Sequence, residues 1–169
     1  MVHSIELVFD PDTEAAIRHI WADLAGAGIP SQAPASRPHV TLAVAEQIDA
    51  DVDELLRAAV QRLPLDCSVG APVLFGRVNV VFARLVVPTK ELLDLHVEVH
   101  RLAGPHLTPA AMSNSLPGQW TAHVTCARRV GGSQLGRALR IAGRPTQLDG
   151  RFAGLRRWDG NKRAEHLIR

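Results

Sequence analysis

Two stretches of the chain repeat a five-residue pattern that sets an imidazole beside a hydroxyl: His39-Val40-Thr41-Leu42-Ala43 and His123-Val124-Thr125-Cys126-Ala127, with the histidines 84 positions apart. On a β-strand, positions i and i+2 share a face. Each stretch therefore projects its histidine and threonine together and turns the intervening valine the other way. Two such strands facing one another would line a common cleft with two imidazoles and two hydroxyls. Imidazole, with an unperturbed pKa of about 6.5, can donate or accept a proton near neutral pH. Together these groups suffice for paired acid–base catalysis.

Eight histidines and 14 Ser+Thr in 169 residues give about 0.7 chance occurrences of His-x-Ser/Thr. Three are present, so the tripeptide alone does not single out the pair. The third, His106-Leu107-Thr108, runs into Pro109 inside a long loop and is set aside. The other two share a pentad and an equivalent place in the chain. The alternative is a pair of ordinary strand histidines with satisfied hydrogen bonds.

The elements that must position them follow from periodicity. His3 to Phe9 alternates, with Ile5, Leu7 and Phe9 on one face, and Asp10-Pro11-Asp12 then starts a helix through Ile17, Ile20, Trp21 and Leu24. After a polar loop over residues 31–38, His39 to Ala45 forms a strand, 51–63 a helix and 67–75 a strand. Past Gly76 the order begins again: a strand over 79–87, a helix opened by Pro88 and running to about Ala103, a loop over 104–119, a strand over 120–128 and a helix over 133–142. Two or three closing strands include a hairpin turning at Asp159-Gly160-Asn161. Each half thus reads strand, helix, strand, helix, strand, which predicts a single α+β domain of two similar lobes, approximately residues 1–76 and 77–169 in sequence pattern, with an exchange of strands between the lobes in space left open. A doubly wound nucleotide-binding sheet is disfavoured, because no glycine-rich phosphate loop follows the first strand.

Composition narrows the class. At 169 residues, 46% apolar and 21% charged, the chain matches one globular domain. No apolar run approaches a membrane span and residues 1–12 carry three acids without a basic flank, so neither a membrane partner nor a leader is expected. Cys67 and Cys126 are the two cysteines, which points to reduced thiols and a cytoplasmic setting and excludes cysteine-based metal clusters. Net charge is +2, but residues 1–120 carry 8 Lys+Arg against 14 Asp+Glu (−6), and residues 121–169 carry 11 against 3 (+8). Seventeen of the 19 basic residues are arginine, whose planar fork suits bidentate contact with phosphate. An anionic partner is expected, with the C-terminal segment as its candidate contact.

Other groups have plainer readings. His96 and His100 stand four apart on a helix, a chelating spacing, but no third ligand is evident and a plain helix face is favoured over a zinc site. His3, His19 and His166 show no partners in the sequence. Among Phe75, Phe82, Trp120 and Trp158, at most one is expected to stack a nucleobase. Trp21 belongs to a core stripe. Cys126 points away from the motif side chains, as a buried inert thiol would.

The paired His-x-Thr motifs some eighty residues apart, the repeated pattern around them and the lead-in Arg37-Pro38 resemble the two-histidine phosphoesterase superfamily, in particular its 2′-5′ RNA ligase-like 2′,3′-cyclic phosphodiesterases. The resemblance covers nearly the whole chain. It implies a bilobal α+β fold of two pseudo-twofold-related antiparallel-sheet lobes, helices outside and a central cleft. It also implies no metal and no cofactor, and substrates that are RNA ends or nucleotides carrying a 2′,3′-cyclic phosphate; a monomer is expected, although no residue pattern fixes the oligomeric state. By this resemblance His39 is the proton donor, His123 the proton acceptor, Thr41 and Thr125 hold phosphate oxygens, and Arg128 contacts substrate. Strict alternation puts Arg128 on the face opposite His123, so that role requires a bulge or strand end. The same site run in reverse would join RNA ends through a 2′-5′ bond. A module that binds RNA or nucleotides without turnover is the alternative in a different class.

Overall fold

The computed structural model describes residues 1–33 and 35–169. Its elements in chain order are β1 (His3–Phe9), α1 (Pro11–Gly26), β2 (His39–Ala45), β3 (Gln47–Ile48), α2 (Val52–Val60), β4 (Leu65–Phe75), β5 (Asn79–Val86), α3 (Lys90–Ala103), β6 (Leu107–Thr108), β7 (His123–Gly131), α4 (Gly132–Ala142), β8 (Leu148–Asp159) and β9 (Ala164–Ile168). The expected α+β repeat is present. Asp10 caps α1, its Oδ1 accepting from the Thr13 amide at 3.0 Å with Pro11 next to it, and Thr89 caps α3 by accepting from the Leu92 amide at 3.2 Å. The 104–119 stretch is less plain a loop than expected, because β6 pairs with β3 as a separate two-stranded sheet. The strand carrying the second motif starts at His123, not Trp120. Among the described residues, no helix is long and apolar enough to cross a membrane.

Seven of the described strands form one antiparallel sheet in the order β2-β1-β8-β4-β5-β7, with β9 also on β8. The 12-residue β8 is long enough to serve both lobes: Leu148–Phe152 pairs with β4, and Phe152–Trp158 pairs with β1. The third strand of each repeat is thereby paired with the first strand of the other, β8 with β1 and β4 with β5. Phe9 and Phe152, with ring centroids 4.9 Å apart, pack where β8 passes between the lobes. The sheet curls so that its two end strands, β2 and β7, come into contact.

Helices cross between repeats as well. Helix α1 packs on β7 and α4, and α3 packs on β2 and α2. End strands leave backbone carbonyls without sheet partners, and buried carbonyls need donors. Trp21 of α1 donates its indole N–H to Thr125 O at 3.1 Å, and Ser31 Oγ donates to Cys126 O at 3.2 Å. Trp120 donates to Thr41 O at 2.9 Å, and His96 and His100 of α3 both turn Nε2 to Leu42 O at 3.0 Å. Each motif strand is thus anchored mainly by side chains of the other repeat.

Candidate active site

Both motif strands carry the same irregularity. Along β1 and β2, Ile5 pairs with Ala43 but Glu6 with Thr41, leaving Leu42 as an extra residue; along β5 and β7, Phe82 pairs with Ala127 but Ala83 with Thr125, leaving Cys126 extra. A bulge of this kind resets alternation. Leu42-Ala43 and Cys126-Ala127 are accordingly both buried in succession, whereas the histidines and threonines before them are half-exposed. The bulge also returns Arg128 to the face of His123 and Thr125, where it is exposed. Strict alternation therefore fails for Arg128, and the reason is the extra residue at Cys126.

The two imidazoles are held alike. His39 Nδ1 lies 2.8 Å from Arg37 O, and His123 Nδ1 lies 2.7 Å from Thr121 O. A carbonyl can only accept, so these short contacts put the hydrogen on Nδ1 in each ring, outweighing the Arg156 Nη2 that lies 3.4 Å from His39 Nδ1, and Nε2 is left for chemistry. Burial holds the pKa of His123 below the ordinary histidine value against the opposing pull of the Thr121 carbonyl, and nearby positive charge at His39 and Arg128 adds to the lowering. The Phe75 ring sits 4.6 Å from that of His123.

The surroundings of His39 are different. A cavity of about 870 Å³ opens beside it, lined also by Thr41, Arg128, Arg156, Trp158 and Arg163; His123 and Thr125 do not line it. Glu6, only 3% exposed, places Oε1 3.6 Å from His39 Nε2 and accepts from Ser4 Oγ at 2.5 Å and from Arg156 at 2.7 Å. Arg156 also bonds Glu165 at 2.7 Å, while Arg37 and Arg18 share Glu14 at 2.9 Å each. Sequence reasoning missed Glu6 and Arg156. The one available signal was a carboxylate at an outward-reading position of a strand whose neighbours are otherwise apolar. A second cavity of about 700 Å³ is lined by Asp10, Asp12, Asp66 and Asp149, a setting that repels phosphate.

The remaining candidates resolve into structure. His96 is 1% exposed, stacks on Trp120 at 3.9 Å and has its pKa lowered to about 4, mainly by burial. Both helix histidines spend Nε2 on backbone carbonyls, so neither presents a free chelating pair. His3, expected to lack partners, accepts from the Ile48 amide at 3.4 Å and faces Asp159 at 3.3 Å; His19 faces Asp23 at 3.5 Å. Phe82 is core and Trp120 is a backbone anchor, while Phe75 lies against His123 and Trp158 lines the cavity. Burial pushes the Cys126 thiol up to about 12, far from a nucleophile's range.

Linkage gives a stability prediction for His96. Its folded pKa is depressed, so between pH 6.5 and 4 the unfolded chain binds a proton that the folded chain refuses, and stability present above pH 6.5 falls as pH drops through that window. The loss approaches roughly 3 kcal/mol at the lower end. Urea denaturation at pH 7 and 4.5 should show this slope in the parent and a shallower one in His96→Gln.

The sequence profile of the 2′-5′ RNA ligase superfamily matches residues 9–160. No match was found among curated protein sequences. Among solved structures, the chain resembles the TT0787 protein of Thermus thermophilus (TM-score 0.61, 15% identity, covering 100% of this chain and 96% of that one). It also resembles Escherichia coli LigT complexed with 3′-AMP (0.57, 13%, 98% and 91%) and Kluyveromyces marxianus Usb1 with uridine monophosphate (0.56, 10%, 99% and 97%). At these identities the structural likeness speaks for the fold, while the profile spans nine-tenths of the chain, and with its paired, bulged motif strands the chain belongs to the 2′-5′ RNA ligase superfamily.

Proposed function

We propose that the protein is a metal-independent phosphodiesterase that opens 2′,3′-cyclic phosphates at RNA ends or on nucleotides. The observation that carries this reading is the matched pair of imidazoles, each with Nδ1 tied to a carbonyl two residues upstream and Nε2 left available. LigT with 3′-AMP and Usb1 with uridine monophosphate, both similar in fold, are nucleotide complexes.

In this mechanism water attacks phosphorus, His123 Nε2 takes the water proton, and His39 Nε2–H protonates the departing ribose oxygen. The depressed pKa of His123 keeps it neutral, as a proton acceptor must be. The leaving ribose carries its base and needs room, and the cavity lies on the His39 side. Pseudo-symmetry alone does not distinguish acid from base, and the space beside His39 supports its reading as the acid. Thr41 and Thr125 hydroxyls donate to the non-bridging oxygens as charge builds, and Arg128 balances it. Ligation through a 2′-5′ bond is the reverse passage over the same groups.

Incubating metal-free protein with short RNAs and mononucleotides ending in 2′,3′-cyclic phosphate, and reading turnover and product isomer, tests the proposal; binding without turnover would instead favour a recognition module. The acid limb of the kcat/KM profile reports the base. It should fall below pH 6.5, and Arg128→Ala, by removing a positive charge that depresses His123, should move it upward. An acid limb unmoved by that substitution would count against His123 as the acceptor.

A further inference from the structure

The cavity beside His39 extends along the β8–β9 hairpin to groups that proton transfer does not use. Trp158 lines it half-buried, with the Arg156 guanidinium 5.5 Å from its ring centroid. Arg163 lines it from the hairpin turn, exposed, and makes no ion pair among the described residues, unlike Arg18, Arg37 and Arg156 on the same wall. Its backbone is in the left-handed region at φ 53°. A β-carbon is disfavoured there, a strain that glycine would avoid and that tends to be kept where a side chain is put to use.

Resting on the hydrolase reading above, which seats the leaving ribose next to His39, we infer that this extension is a nucleoside subsite. Trp158 stacks the base of the nucleotide bearing the cyclic phosphate, and Arg163 holds the phosphate attached to its 5′ oxygen. Stacking needs only a π-face and so accepts any base. An unpaired guanidinium adds charge-assisted bonds to a phosphate whether that phosphate is a terminal monoester or an internucleotide diester. The preferred substrate is therefore a cyclic-phosphate end with a phosphate on its 5′ side, not a lone cyclic nucleoside phosphate. Glu165 lines the cavity on the hairpin side as well, ion-paired to Arg156, but the lining as a whole is positive, with Arg18, Arg37, Arg128, Arg156 and Arg163 against Glu6 and Glu165.

The test compares three substrates: adenosine 2′,3′-cyclic phosphate, its 5′-phosphorylated form, and the dinucleotide ApA ending in the cyclic phosphate. The parent should turn over the second and third with kcat/KM about tenfold above the first. In Arg163→Asn, which tolerates positive φ and removes the charge, that preference should fall to near one. Trp158→Ala should raise KM on all three by about 5- to 100-fold with a smaller change in kcat. If the dinucleotide alone is preferred, Arg163 reads a diester; if both are, it reads either form. Equal kcat/KM on all three in the parent, or a preference that survives Arg163→Asn, would overturn the subsite while leaving the hydrolase reading intact. No turnover of any of them would overturn both.

Discussion

Replacing either His39 or His123 with alanine is expected to lower kcat on a 2′,3′-cyclic phosphate by about 10²- to 10⁴-fold, the usual contribution of one positioned proton-transfer group. The double variant should be little worse than the weaker single one, because acid and base serve one displacement and lose their value together. Steady-state kinetics on the three proteins checks both points. The rings are half-exposed and anchored mainly through Nδ1, so the substitutions should leave the fold intact, which circular dichroism and melting temperature will show. KM is a second diagnostic: with Thr41, Thr125 and Arg128 unchanged, substrate affinity should move far less than kcat. Full activity in both single variants would end the proposed mechanism.

The second large effect falls on stability, far from that chemistry. Arg84 of β5 is 1% exposed and has no carboxylate partner among the described residues; its guanidinium instead donates to the carbonyls of Val69, Gly70, Ala142, Pro145 and Thr146. Those carbonyls belong to β4, to the end of α4 and to the segment leading into β8. One side chain therefore ties together the elements that cross between lobes. Arg84→Met keeps much of the volume and removes every donor, leaving several buried carbonyls unpaired. The cost of such a loss is on the order of 4 kcal/mol. A melting temperature lower by roughly 8 to 16 °C should follow, while Arg62→Met, at an exposed position, should change it little. A shift under about 2 °C in Arg84→Met would show that water replaces the guanidinium without penalty.

How far the sequence reveals the site depends on which residues are asked about. The motif pair was legible because histidine and threonine two apart on a strand must share a face. The bulge that brings Arg128 back to that face was not read from the sequence, although Leu42-Ala43 and Cys126-Ala127, two adjacent apolar residues at the same pentad position, are where alternation breaks. Glu6 was not legible. Alternation marks it as outward-facing, but β1 lies between β2 and β8 and the curled sheet covers it, so outward here means the floor of a cleft. Its partner Arg156 is 150 residues away, a pairing that no local pattern carries. Arg84 was invisible for a related reason, since a charged residue inside a β-run gives no sign that five carbonyls await it. The repeat of elements could be read and an exchange of strands between lobes was an open reading, whereas which strands exchange could not be read, because strand order in a sheet is a matter of long-range pairing.

That exchange has a mechanical consequence. Neither repeat closes a sheet by itself: each lends its last strand to the other and receives one back, so the molecule has the architecture of two intertwined protomers fused head to tail. Separating the lobes would require unzipping β8 from β1 or from β4, because the strand that joins them is itself held in the sheet along its length. The two motif strands are thus the ends of one continuous hydrogen-bonded ladder, and the proposed mechanism calls for substrates that fit the gap this ladder sets.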